Sequence, residues 1–254
     1  AYLIKECLDY AGFKTAQIGT TGVIAEGYKQ EKTLTTPDAL TIQKLLKNLV
    51  NDGFSHVVME VSSHALHQLR VHNVHFDVAI FTNLTPEHLD YHKTMENYFK
   101  VKSTLFKLLK EKNGKAVINY DDDYGKKLAS KLNCDVAVFS KTDLTKSFFS
   151  QINDYKNKID GIIKSNADSY TIESNLIGSY NLENILAAVT TLDSLKISKN
   201  AITQGIKTCK NVPGRLESFS VKTGAKVIID YAHTPDAYDK ILYTLKSVLT
   251  EENN

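Results

Sequence analysis

The sequence predicts an α/β fold, a mostly parallel sheet with helices on both faces, followed by the start of a second α/β unit. Three observations carry that prediction. Apolar stripes of helical period alternate with short apolar runs of strand length. Gly12 and Gly53 fall where helices should stop. After NVPGRLE a new strand pair and helix pattern begins, which places a boundary near residue 212, with 1–211 as the first domain and 212–254 as the beginning of the next.

AYLIKECLDYAG reads as a helix, with Leu3, Ile4, Cys7, Leu8 and Ala11 on one face and Gly12 at the C′ position. No capping residue precedes it, and EENN interrupts the closing helical pattern of 237–249, so the chain is expected to be cut at both ends. Thr36 followed by Pro37 predicts an N-cap and first helical residue, opening a helix to about Asn51. SHVVMEV (55–61) and FDVAIFTNL (76–84) predict buried strands. A helix over 94–112, a strand over 115–120, a helix over 123–132 and a strand over 134–140 follow. The polar stretch 141–177 predicts one antiparallel strand, at SYTIES. Helices over 181–195 and 199–209 complete the first domain.

Hydrophobic residues make up 42% and charged residues 24%, ordinary values for a globular chain. A formal net charge of +2 gives no reason to expect nucleic acid or an acidic membrane surface as partner. No apolar run reaches the roughly 18 residues of a membrane helix, and no signal peptide is visible, so a cytoplasmic location is expected. Cys7, Cys134 and Cys209 are few and far apart and read as reduced, buried thiols.

Ligands of open α/β sheets bind beyond the carboxyl ends of the strands. Glu60 and Asn83 stand at two such ends, and His88 follows the second. If those strands are neighbours, Glu60 and His88 converge on one edge, where a carboxylate and an imidazole share a cation. Seven of the eight histidines lie between His56 and His92, which leaves a zinc site open: His88 and His92 have the i, i+4 spacing, although no H-E-x-x-H or C-x-x-C is present. Capping and surface roles are the plainer reading for most of them. Lys102 falls on the apolar stripe formed by Tyr98, Phe99, Leu105, Phe106 and Leu109. It either snorkels or is buried as a neutral amine able to take up carbon dioxide as a carbamate.

Taken in order, GTTG…TTPDAL, MEVSSHALHQLRV, FTNLTPEHLDYHKTMENYFKVK, GSYNLENILAAV, PGRLE and DYAHTPD resemble the successive motifs of the Mur ligases, in particular the branch that makes UDP-N-acetylmuramoyl-tripeptide. The resemblance spans nearly the whole chain. It implies a Mur ligase central ATPase domain and the start of a Rossmann-like C-terminal domain. It also implies ATP-dependent amide-bond formation through an acyl phosphate, adding a diamino acid (L-lysine or meso-diaminopimelate) to UDP-MurNAc-L-Ala-D-Glu, with Mg2+ neutralising the phosphates. Carried over by position, Glu60 and His88 match magnesium ligands and Lys102 a carbamylated lysine, which turns the reading of Lys102 towards burial. Thr35, Thr36, Ser62, Gln68 and Arg70 match contacts to the nucleotide-sugar peptide. Asn181 and Asn184 match adenine-side asparagines. Arg215 and Asp230 match positions that close over ATP, and Asn83 and His233 stand in the same motifs. For Ser62, Thr35 and Asp230 the alternative is a purely local cap or turn.

A phosphate-binding loop of the form G-x-x-x-x-G-K-[ST] is not found in the sequence: Gly114-Lys115 and Gly125-Lys126 lack both the earlier glycine and the hydroxyl residue. Two functions follow. In one the chain is part of a working ligase, and is inactive by itself. In the other it is a stable remnant that binds ligand or partner without turnover. Folylpolyglutamate synthetases share the ATP chemistry but not the SSHAL…Q-x-R and DYAHTPD combination.

Overall fold

The computed structural model describes the chain apart from residues 31–33, 155–157, 166–167, 223–224 and 250–254, so the EENN end lies outside the described residues. Helix α1 (Tyr2–Tyr10) buries Leu3, Ile4, Cys7 and Leu8. Gly12, at φ +89°, takes the left-handed position past its end. Strand β1 (Thr15–Gly19) lies between β2 (Gly22–Ile24), antiparallel to it, and β3 (His56–Met59), parallel to it. Neither β1 nor β2 stands out in the sequence, because TAQIG is short and carries the buried polar residues Thr15 and Gln17.

Helix α2 (Ala39–Asn51) is capped by Asp38, whose carboxylate accepts from the Leu40 and Thr41 N–H groups at 3.1 and 3.0 Å. The expected cap at Thr36 is therefore corrected: the Thr36 hydroxyl is turned to the loop after β3 instead. Helix α3 (Ser63–His67) leads to β4 (Val78–Phe81), then α4 (Leu89–His92) and α5 (Met95–Ser103). Thr94 caps α5 at about the expected start, but the helix does not run to residue 112. Ser103 and Thr104 donate their hydroxyls back to the Phe99 and Val101 carbonyls, both at 2.7 Å, and the chain tightens into a 3-10 turn over Thr104–Leu108.

Strand β5 (Lys115–Asn119), helix α6 (Asp123–Ala129) and strand β6 (Asp135–Phe139) follow. Strands β4, β5 and β6 form an all-parallel sheet. Strands β3 and β4 belong to separate sheets, so the expected pairing of their strands does not occur among the described residues. What joins the two sheets is a shared core. Val58 of β3 and Val78 and Ile80 of β4 pack against one buried cluster that includes the apolar face of α1.

The polar stretch holds three antiparallel strands rather than one: β7 (Phe148–Asp154), β8 (Ile159–Ser165) and β9 (Asp168–Ser174). Helix α7 (Ser179–Ser194) buries Leu182, Ile185, Leu186 and every residue from there to Leu192, the pattern of a helix surrounded by protein. It packs beneath both the parallel sheet and the meander. Helix α8 (Lys199–Thr208) lies across α1 so closely that a Cβ on Gly205 would stand 2.4 Å from the Cys7 Cα. Strands β10 (Glu217–Ser220) and β11 (Lys226–Ile229) pair antiparallel, and α9 (Pro235–Leu249) follows. All three cysteines are free; Cys7 and Cys209 are buried as expected, while Cys134 is only half-buried. Among the described residues no helix is long and apolar enough to cross a membrane.

Candidate active site

The carboxyl end of β3 builds one corner of the site. The Glu60 N–H continues the parallel ladder onto the Ile18 carbonyl at 2.8 Å. Its carboxylate lies on the end of β1, where Oε2 accepts from the Thr20 N–H at 3.0 Å and the Thr20 hydroxyl at 2.9 Å. Thr36 is 1% exposed and joins three segments. Its hydroxyl donates to the Glu60 carbonyl at 2.8 Å and accepts the Ser62 N–H at 3.0 Å, and its own carbonyl accepts from Arg70 Nη1 at 2.7 Å. Thr35 reaches the Thr20 hydroxyl, 3.2 Å between oxygens.

Ser62 caps α3, accepting the Ala65 N–H at 3.2 Å. Gln68 ends the same helix, and its Oε1 accepts from both Nε and Nη2 of Arg70, at 2.9 and 2.6 Å. Between them Leu69 is held at φ +58° and is 62% exposed. That conformation is costly for a branched residue and is typical of functional loops. It turns Gln68 and Arg70 towards each other, so Gln68 orients the guanidinium fork.

The second corner lies on α4 and α5. His88 sits in the left-handed region at φ +55°, at the head of α4. Its ring meets His64 of α3 edge-on, 4.8 Å between centroids, and lies 6.2 Å from the Tyr98 ring. Burial, then repulsion from His88, lowers the pKa of His64. The Lys102 Nζ stands 5.6 Å from the centroid of the same Tyr98 ring. Lys102 is only partly buried as a residue, but its amine is enclosed, and that burial lowers its pKa; Glu87 and Asp122 pull it back upward. His92 stacks on Tyr98 at 4.9 Å, with its Nε2 2.9 Å from Ser63 Oγ.

Tyr98 and Glu87 are the site residues that the motifs alone did not single out. Glu87 Oε1 lies 3.5 Å from His88 Nε2 and 3.0 Å from His233 Nε2, so it ties the α4 loop to the segment after β11. At the start of α7, Asn184 Nδ2 donates to Asn181 Oδ1 at 2.9 Å, and Asn181 Nδ2 donates to the Ile177 carbonyl at 2.8 Å. Asp230 accepts the Leu216 and Ala232 N–H groups at 2.8 and 2.7 Å, so its carboxylate organises the turn it ends. Arg215 lies over the Tyr231 ring at 5.8 Å. The Tyr180 hydroxyl is buried without a hydrogen-bond partner, and Asp230 and Arg215 are both close enough to influence it. The start of α7 and the β10–β11 unit therefore face one another.

Among the described residues no three His, Cys, Asp or Glu side chains stand close enough to cage a metal ion. Magnesium does not need such a cage. It keeps several waters and is usually held by one or two carboxylates plus substrate phosphates. Glu60 fits that role, with Oε1 uncommitted among the described residues, and a carbamate on Lys102 would supply a second anionic oxygen donor. Asn83, at the strand end between the two corners in sequence, is exposed.

Comparison with known proteins gives this arrangement its relatives. A family model described as the Mur ligase middle domain matches residues 1–192. A UDP-N-acetylmuramoyl-L-alanyl-D-glutamate–2,6-diaminopimelate ligase from Geobacter metallireducens is 39% identical over 98% of this chain and 50% of its own length. The protein of the same name from Nostoc is 40% identical over 95% of this chain and 49% of its own. The chain thus spans about half the length of these relatives. A solved structure of a ligase of that name superposes with a TM-score of 0.80 at 30% identity, covering 96% of this chain and 50% of the other. MurF from Acinetobacter baumannii (TM-score 0.77, 18% identity) and an L. casei FPGS (TM-score 0.72, 16% identity) share the fold. The chain belongs to the Mur ligase family.

Proposed function

We propose that this chain carries the metal and acceptor-substrate half of an ATP-dependent ligase that joins meso-diaminopimelate to UDP-MurNAc-L-Ala-D-Glu, with residues 1–211 as the central domain and 212–254 as the beginning of the C-terminal one. The observation that carries it is the approach of His88 and Lys102 to one Tyr98 ring, with His64 of α3 against His88. Glu60 stands just before α3 in the chain, and the proposal assigns it to the same rim. Diaminopimelate is preferred over L-lysine because the relatives carry that name.

Mg2+, when bound, supplies charge neutralisation for ATP and for the acyl phosphate. The chain's own groups do the rest. Arg70, its fork pre-set by Gln68 and Thr36, meets an anionic group of the acceptor. Thr35, Thr36 and Ser62 line the approach of the peptide. Glu60, His88 and a carbamylated Lys102 would hold the Mg2+, whose positive charge would neutralise the phosphates. Asn181, Asn184, Arg215 and Asp230 border the nucleotide, between the start of α7 and β11.

In a protein extended to the length of its relatives, ADP release should require UDP-MurNAc-L-Ala-D-Glu and should be faster with meso-diaminopimelate than with L-lysine. The 254 residues alone should release none. Preference for a folate acceptor would replace this reading with a folylpolyglutamate synthetase, and specific acceptor binding without ADP release by the extended protein would favour a binding remnant.

A further inference from the structure

We infer that Thr20 is a positioning residue for Glu60, and that Gly19 is glycine to leave room for the Glu60 carboxylate; the inference rests on the metal-binding role proposed for Glu60. Thr20 and Thr21 form the turn between β1 and β2, in a hairpin whose register pairs Gly19 with Gly22. Turn chemistry gives no reason for threonine there. Two-residue hairpins favour Asn-Gly, Asp-Gly or Gly at their centre, and β-branched residues are poor turn formers. Gly19 is also unexplained by its backbone, since it is not among the positive-φ glycines.

The neighbouring carboxylate explains both. Glu60 Oε2 accepts two donors from one residue, the Thr20 N–H at 3.0 Å and its hydroxyl at 2.9 Å. Oε1 accepts none among the described residues. The carboxylate is thus pinned by one oxygen and left open at the other. A Cβ on Gly19 would stand 2.7 Å from Glu60 Cδ and 2.9 Å from each carboxylate oxygen, inside van der Waals contact. Any side chain at 19 would push the carboxylate off the strand end. The Thr20 hydroxyl also meets Thr35 Oγ1 at 3.2 Å, so the residue that orients the carboxylate also touches the expected acceptor-binding loop. Partners that orient ligand groups in this way usually change metal affinity by about 10- to 100-fold when removed.

The test is Mn2+ binding together with ADP to a protein extended to the length of its relatives, read from the enhancement of water-proton relaxation in the ternary complex, with the melting temperature measured alongside. Thr20→Val keeps the shape and the N–H but removes the hydroxyl, and should weaken Mn2+ binding about tenfold. Thr20→Ser should restore it. Gly19→Ala should weaken binding similarly with little loss of melting temperature, because the atoms it displaces are the free end of a flexible side chain. In a Glu60→Ala background none of these changes should have further effect. If Glu60→Ala loses Mn2+ while both Thr20→Val and Gly19→Ala bind like the parent, the positioning inference is wrong and the metal role stands. If Glu60→Ala binds like the parent, or the parent binds none, the metal role itself fails. A Thr20→Val chain that melts leaves Gly19→Ala to decide.

Discussion

Lys102 shows how far single residues could be read. Its position on an apolar stripe was visible from spacing, yet spacing alone could not separate snorkelling from burial. In the structure the residue is half-buried, with its amine 5.6 Å from the centroid of the Tyr98 ring. Its pKa lies below the ordinary 10.5, so the folded state disfavours the proton. The resulting cost is fully present below the folded pKa and disappears as pH rises through 10.5. Lys102→Met should therefore raise the melting temperature in CO2-free buffer at neutral pH, and the gain should shrink as the buffer approaches pH 10.5. An equal gain at all pH values would mean that the amine is solvated. Thr36 was legible as an important residue for a different reason than the one that holds: its hydroxyl is shared by the backbone at 60 and 62, contacts 24 and 26 residues away that no local pattern encodes.

At the scale of elements, long helices and apolar strands were readable because burial and period coincide in them. The meander was not. Its strands β8 and β9 alternate, but an inward position of β8 carries Ser165 as well as isoleucines. Its hydroxyl is met by distant partners, Ser147 and Asp193. Ser165 and Tyr170 both donate their hydroxyls to Asp193 of α7 at 2.6 Å. That carboxylate pins the meander to the central helix, and it also raises the pKa of the Tyr170 phenol together with burial. Asp193→Ala removes the carboxylate that two hydroxyls share and should cost about 2–4 kcal/mol in urea unfolding. A loss below about 0.5 kcal/mol would show that the meander is held by its apolar face alone. The short strands β1 and β2 escaped for a similar reason, since Thr15 and Gln17 are polar and yet buried.

The whole molecule assembles its site from parts that secondary structure does not join. Glu60 follows a strand of one sheet and His88 follows a strand of another, and only the shared core beneath α1 and the α3–α4 histidine contacts hold them in relation. The order of motifs named the candidate members of the site, while their mutual geometry depends on packing. The segment after β11 meets Glu87 through His233, and Asp230 and Arg215 lie close enough to Tyr180 at the start of α7 to influence it. Hydrogen bonding to Glu87 and to the Tyr231 carbonyl raises the pKa of His233, in keeping with a close contact between the two regions. The central claim is that the enclosed amine of Lys102 becomes an anionic oxygen donor at this rim. It is tested most directly by chemical rescue in a protein extended to the length of its relatives. Lys102→Ala should lose most ADP release, and millimolar formate or acetate should restore a measurable part of it. Full activity of Lys102→Ala without any added carboxylate would contradict the claim.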